Sequence, residues 1–215
     1  MADSVIEQST KELIDSLKQS CGSFGLGNDG NEYKIIVQVF LYKYFNDKFG
    51  YEAKNVPGYG KRLKAAGKWD AAYDTFTEEE VEDLFAYLPP STPRLRPHQT
   101  IAHLYNAMTQ GDFSALFDST LREIAVLNAD IFSIATDSRT KITVFDNSLV
   151  AATINDPTKR DDFARSLMRH IADPKANFEP MFSEKYDFFS TMFEHLIKDY
   201  NKDGGGKYAE YLPIT

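Results

Sequence analysis

The chain contains a single cysteine, and no apolar run in it approaches the roughly 20 residues needed to span a bilayer. The lone Cys21 excludes a disulfide within the chain and a zinc site built from several thiolates. One unpaired thiol fits a reducing compartment, and the acidic N-terminus does not resemble a secretory signal. The sequence therefore predicts a cytoplasmic protein with no membrane partner.

Positive charge is also scarce. Lysine and arginine number 24 against 32 aspartates and glutamates, which gives a net charge of −8. An acidic chain does not hold nucleic acid by bulk charge, so DNA contact would need a local basic patch or basic surface from a partner. With 215 residues, 42% of them hydrophobic, the chain is long enough for one domain with its own core.

Catalytic signatures are missing as well. The four histidines are scattered, and none has a carboxylate or a second histidine at metal-ligand spacing. No combination of serine, histidine and aspartate is typical of a nucleophilic site. Cys21 falls at the C-terminus of a predicted helix, where the helix dipole does not favour a thiolate. We predict no catalytic residue and no metal site in this chain.

Helical periodicity is what the chain has in abundance. Apolar residues recur at spacings of three and four over residues 4–21, 33–49, 78–88, 98–110, 113–131, 157–171 and 183–200. The expected helix caps are Ser4, Thr77, Asp112 and Asp156. Residues 51–74 are predicted to be irregular, with at most a marginal β hairpin or strand near 141–145. The predicted fold is mainly α, a compact multi-helix bundle domain.

One basic cluster interrupts the acidic background. The stretch from Lys54 to Lys68 has no acidic residue, and its basic residues are Lys54, Lys61, Arg62, Lys64 and Lys68. A mobile basic loop that carries an aromatic such as Tyr59 can hold a phosphate backbone. A solvated loop that balances an acidic neighbour is an equally open interpretation. The candidate DNA-binding residues are Lys61, Arg62 and Lys64, and Arg94, Arg96 and His98 form a weaker second patch.

A calcium-loop pattern occurs near the C-terminus. It consists of Asp199, Asn201, Asp203, Gly204 and Glu210, the spacing of an EF-hand loop. Gly206 replaces the apolar residue usual at the middle of such a loop, and Pro213 prevents an exit helix. An EF-hand-like calcium-binding protein is therefore the third interpretation.

Two segments carry a family resemblance. The predicted helix at 30–49 opens on Glu-Tyr-Lys and closes on Lys-Tyr-x-x-Asp-x-Phe, with Glu32, Tyr33, Lys34, Lys43, Tyr44, Asp47 and Phe49 at these positions. The second segment is the helix at 189–200 with the following Gly204-Gly-Gly-Lys-Tyr-Ala-Glu-Tyr211. Both resemble segments of the methyltransferase (modification) subunits of type I restriction–modification systems. Leu212-Pro-Ile departs from the family's Tyr-Thr-Pro.

The resemblance implies a domain role. Residues 1–203 would be the family's N-terminal helical domain, and 204–215 a glycine-rich loop leading toward an absent S-adenosylmethionine-binding methyltransferase domain. The parent would be an adenine-N6 DNA methyltransferase that uses S-adenosylmethionine, with Glu210 and Tyr211 at the cofactor entrance. This chain would bind no cofactor alone, transfer no methyl group, and clamp DNA.

The family also implies partners. They are DNA, a specificity subunit and a second modification subunit, with a restriction subunit as a further one. The alternative from a different class is a free-standing helical protein-interaction module, and the coding sequence downstream of residue 215 would discriminate the two.

Overall fold

The computed structural model describes residues 2–27, 30–65, 67–132, 134–135, 141–142, 145–146 and 148–182. The helices of this part are α1 Ala2–Ser23, α2 Gly30–Ala53, α3 Gly60–Ala65, α4 Trp69–Tyr73, α5 Glu78–Tyr87, α6 Ile101–Ala107, α7 Phe113–Leu127, α8 Ala129–Phe132, α9 Leu149–Thr153, α10 Pro157–Ile171 and α11 Glu179–Phe182. A 3-10 helix spans Pro97–Gln99. The prediction of a mainly α multi-helix bundle is confirmed.

The β structure is as marginal as the sequence predicts. Two strands of two residues each, β1 Ile134–Ala135 and β2 Lys141–Ile142, pair antiparallel with Ile134 opposite Ile142. None of the described helices combines the length and the apolar character that crossing a membrane requires. The predicted helix at 183–200, the calcium-loop pattern at 199–210 and the cofactor candidates Glu210 and Tyr211 all lie outside the described residues.

Helix α2 lies at the centre of the fold. None of its residues between Asn31 and Ala53 is exposed. The residues that keep part of their surface, among them Val37, Leu41, Tyr44 and Lys48, recur at helical spacing and mark one face that is only partly covered, while α1, α10 and α11 pack against the helix. Its fully buried apolar side chains are Ile35, Ile36, Val39, Phe40, Tyr42, Phe45, Phe49 and Ala53.

The prediction that residues 51–74 are irregular is wrong in part, since only the turns between the helices fit it. Helix α2 continues to Ala53, and α3 and α4 follow it within this stretch. Both helices are too short to show a clear sequence period, and tertiary packing stabilises them instead. The rings of Trp69 and Tyr73 in α4 lie 5.8 Å and 5.1 Å from the ring of Phe49. Tyr73 also donates a hydrogen bond of 2.6 Å from its hydroxyl to the Leu95 carbonyl.

Two of the predicted caps are confirmed. Thr77 accepts from the Glu80 amide at 3.2 Å, and the Glu80 carboxylate accepts from the Thr77 amide, which completes a capping box. Asp156 accepts from the Thr158 amide at 3.0 Å at the start of α10. The prediction for Ser4 is wrong, because α1 begins two residues earlier at Ala2.

The cap of α7 comes from a distant helix. Asp112, the predicted cap, adopts a left-handed backbone with φ 55° and makes no side-chain cap bond. Asp161 of α10 instead accepts from the Phe113 and Ser114 amides at 3.2 Å and 2.9 Å. In the same way, Asp118 of α7 accepts from the Val150 amide of α9 at 2.8 Å. Carboxylates of neighbouring helices thus accept hydrogen bonds from the backbone amides in the first turns of α7 and α9, which have no acceptor within their own helix.

A polar network joins α1 to α10. The Ser20 hydroxyl oxygen lies 2.7 Å from that of Ser166 and 2.9 Å from Nε2 of His170. Burial lowers the pKa of His170 below its ordinary value of 6.5, with the charge of Arg169 acting in the same direction and that of Asp173 against it. Protonation of His170 therefore opposes the contact between the two helices.

We expect His170 to make stability depend on pH. The pKa of His170 is lower in the folded chain than in the unfolded chain. Its contribution to the free energy of unfolding is therefore complete above the ordinary histidine pKa, and it is lost as pH falls toward the pKa of the folded chain. The free energy of unfolding in urea should fall less between pH 7 and pH 5 in His170→Gln than in the unmodified chain. His98→Gln, at an exposed position, is the control, and an equal pH dependence in all three proteins would contradict the expectation.

A second prediction concerns Gly50. A Cβ at this position would lie 2.4 Å from Cε2 of Trp69, so alanine must displace the ring that packs on Phe49. We expect Gly50→Ala to lower the free energy of unfolding by about 1–3 kcal/mol, the usual cost of overpacking. Gly22→Ala in α1 is the matched control, because a Cβ there meets no atom within 4 Å. Equal unfolding midpoints of the two variants in urea would refute the steric argument.

Candidate nucleic-acid interface

The basic cluster predicted from the sequence is organised around α3. The α3 basic surface comprises Lys54, Lys61, Arg62, Lys64 and Lys68. Helix α3 begins at Gly60, whose amide donates to the Val56 carbonyl at 2.9 Å. A Cβ at Gly60 would lie 2.3 Å from the Lys54 carbonyl oxygen, so glycine allows α3 to start directly against the end of α2. This close approach brings α3 next to Lys54, the first residue after α2.

Three lysines of this surface are exposed. They are Lys61, Lys64 and Lys68. In the described part of the chain, none of the three forms a salt bridge with a carboxylate, and Lys64 donates only to the Asn55 side-chain oxygen at 3.4 Å. Their ammonium groups are therefore available to an external anion.

Arg62 has a different role. Its guanidinium donates to Glu80 Oε1 at 2.7 Å and to the Thr75 hydroxyl at 2.8 Å, and it lies 4.2 Å from the centre of the Phe76 ring. These contacts fasten α3 to the capped start of α5. The hydrogen bond from Arg62 is one of the causes, after the one from the Thr77 amide, that lower the pKa of Glu80. A phosphate would have to displace Glu80 to reach Arg62.

Tyr59 is also held in place. Its hydroxyl donates to Asp83 at 2.7 Å, and its ring lies 5.5 Å from that of Phe76. The hydrogen bond to Asp83 is the main cause that raises the pKa of Tyr59 to about 12. The sequence suggested a mobile aromatic in a basic loop, whereas the structure fixes this ring between α3 and α5.

Lys54 lies at the edge of the same surface. Its side chain is half-buried and forms a salt bridge with Glu179 at the start of α11. Burial lowers the pKa of Lys54, the nearby charge of Lys64 lowers it further, and Asp47 opposes both. Sequence reasoning did not connect Lys54 with α11, because the two partners are 125 positions apart.

The second basic patch is largely neutralised. Arg96 donates to Glu82 at 2.7 Å, and Nε2 of His98 lies 3.1 Å from Glu123. These carboxylates belong to α5 and α7, which pack beside the segment before α6. Compared with the α3 basic surface, this patch offers less charge to an external anion.

Residues that carry the family resemblance serve the packing of α2. Lys43 and Asp47 form a buried ion pair of 2.9 Å, with about a tenth of each side chain exposed. The second oxygen of Asp47 accepts from the Phe178 amide at 3.0 Å, and Asn46 donates to Asp47 at 3.0 Å. A lysine and an aspartate four residues apart in an otherwise apolar helix are the sequence pattern that indicates this ion pair.

Cys21 is a buried thiol. Burial, with the charge of Glu32 as a smaller cause, raises the pKa of Cys21 to about 12, so the thiol stays protonated. Across the described ranges, no group of three histidine, cysteine or acidic side chains is arranged to hold a metal ion. Glu210 and Tyr211 are outside these ranges, so no geometry bears on the cofactor entrance.

Comparison with known proteins identifies no relative: no family model, no curated protein and no solved structure matches the chain.

The contacts of Arg62 lead to a prediction. Arg62→Met and Lys61→Met each remove one positive charge from α3. We expect only Arg62→Met to lower the melting temperature, because Arg62 links α3 to Glu80 and Thr75, whereas the Lys61 side chain has no bonding partner among the described residues. Thermal unfolding followed by circular dichroism measures both. A similar melting temperature for the two variants would show that the Arg62 contacts contribute no stability.

Proposed function

We propose that this chain is the DNA-clamping and subunit-assembly domain of a type I restriction–modification adenine-N6 DNA methyltransferase, and that it works in the cytoplasm. The observation that carries the DNA-binding part is the group of exposed lysines Lys61, Lys64 and Lys68, which have no carboxylate partner in the described part of the chain. The resemblance of residues 30–49 and 189–211 to the modification subunits supports the choice of parent enzyme.

The geometry of the surface suits the phosphate backbone. Lysines are mobile point charges that can follow phosphates without reading bases, so this surface would position DNA and carry no sequence information. The attachment of α3 through Gly60 and Arg62 holds Lys61 and Lys64 on one short helix, and Lys68 follows three residues after the end of that helix. Recognition of the target sequence would belong to the specificity subunit, and methyl transfer from S-adenosylmethionine to the part of the parent that binds the cofactor.

The acidic background sets the expected affinity. A net charge of −8 opposes the approach of DNA, and few contacts offset it. The isolated chain should therefore bind duplex DNA weakly and with strong salt dependence, while the assembled complex with the specificity and second modification subunits binds tightly.

The test is a DNA titration at low salt. Fluorescence anisotropy of a labelled duplex should show binding by the unmodified chain and loss of most of it in Lys61→Met/Lys64→Met/Lys68→Met. The slope of log K against log salt should become shallower by about 0.9 for each phosphate contact removed. Lys159→Met on α10, an exposed lysine outside the α3 basic surface, is the charge control.

Two results would refute this role of α3. One is equal DNA affinity of the triple variant and the unmodified chain, and the other is an equal loss of affinity in Lys159→Met. Unchanged circular dichroism spectra of the variants would confirm that the fold is retained, since all four lysines are exposed.

A further inference from the structure

Lys54 differs from the other lysines of the α3 basic surface in having an acidic partner. Glu179 neutralises it from α11, and Lys54 lies close enough to Lys64 for their charges to interact. Asn55, the residue after Lys54, accepts a hydrogen bond from Lys64. A phosphate held by Lys64 would therefore lie beside the Lys54–Glu179 pair.

Helix α11 and the residue before it have contacts besides this ion pair. The Phe178 amide donates to Asp47 at 3.0 Å, and the buried Phe178 ring lies 4.9 Å from that of Phe40. Further along, the Phe182 ring lies 5.5 Å from that of Tyr44. Glu179 itself is about a third exposed, so its carboxylate can leave Lys54 and enter solvent while the helix remains seated.

We propose that Glu179 competes with DNA phosphates for Lys54, so that α11 sets the affinity of the α3 basic surface. When a phosphate approaches Lys64, it repels the Glu179 carboxylate and attracts the Lys54 ammonium group, which has a flexible stem and can change partners. Lys54 is then a fourth phosphate ligand that is occupied in the absence of DNA. A partner that draws Glu179 away would strengthen DNA binding at α3. This inference rests on the proposed function.

The experiment removes the competing charge. Glu179→Gln should bind the labelled duplex about threefold more tightly at low salt, the size expected for one surface ion pair. The slope of log K against log salt should also become steeper, by at most about 0.9, because Lys54 contacts a phosphate in every complex of the variant but only in part of those of the unmodified chain. Asp162→Asn on α10 changes the net charge equally and should leave the affinity nearly unchanged, since Asp162 pairs with Arg165 away from α3.

A double-mutant cycle separates competition for Lys54 from bulk charge. In a Lys54→Met background, Glu179→Gln should give no gain in affinity. An equal gain with and without Lys54, or no gain in Glu179→Gln, would overturn the inference while leaving the DNA role of Lys61, Lys64 and Lys68 intact. Absence of DNA binding by the unmodified chain would instead refute the proposed function.

Hydrogen exchange provides the structural control. The Phe178 amide donates to Asp47, and the Met181 amide donates to the Phe178 carbonyl. Their exchange rates therefore show whether α11 remains packed against α2. Their exchange rates should be the same in Glu179→Gln and in the unmodified chain. Faster exchange in the variant would mean that the ion pair is needed to seat α11, which would contradict competition by the carboxylate alone.

Discussion

Most of helix α2 is buried, so each polar side chain on its covered faces must have a partner or lose the hydration it has in the unfolded chain. The partners of three such side chains lie in segments that pack against α2. Tyr42 donates to the Gln99 carbonyl at 2.7 Å, Asn46 accepts from the Ile101 amide at 2.9 Å, and Asp47 accepts from the Phe178 amide. The aromatic residues supply most of the buried area, while these three bonds determine which segment lies against which part of the helix.

Sequence reasoning worked where the information is local. The long helices α2, α7 and α10 have a clear apolar period, and Thr77 caps a helix within three residues of itself. Short helices and distant contacts were not predicted, because α4 packs against Phe49 and α3 packs against α4, which no local period reveals. The candidate site divides in the same way. The exposure of Lys61 and Lys64 followed from local composition, but the contacts of Arg62 require residues brought together by the fold.

The α3 basic surface uses its two kinds of cation differently. Arginine has a planar group with several donors in fixed directions, which suits Arg62 to a site with Thr75 and Glu80 at its edge and Phe76 at its face. Lysine keeps a compact charge on a flexible stem, which suits the exposed positions. A cluster that looks uniform in the sequence thus contains residues that build the surface and residues that are available for binding.

The capping of α7 and α9 by carboxylates from other helices has a consequence for how the chain folds. Phe113 receives its cap from Asp161, and Val150 receives its cap from Asp118, across separations of 48 and 32 residues. The first turn of α7 gains its cap only when α10 packs against it, and that of α9 only when α7 does, so α7 links the stability of the other two helices. A change in the length of a loop between these helices is therefore easier to tolerate than a substitution of either aspartate. Each aspartate caps a helix to which it does not belong.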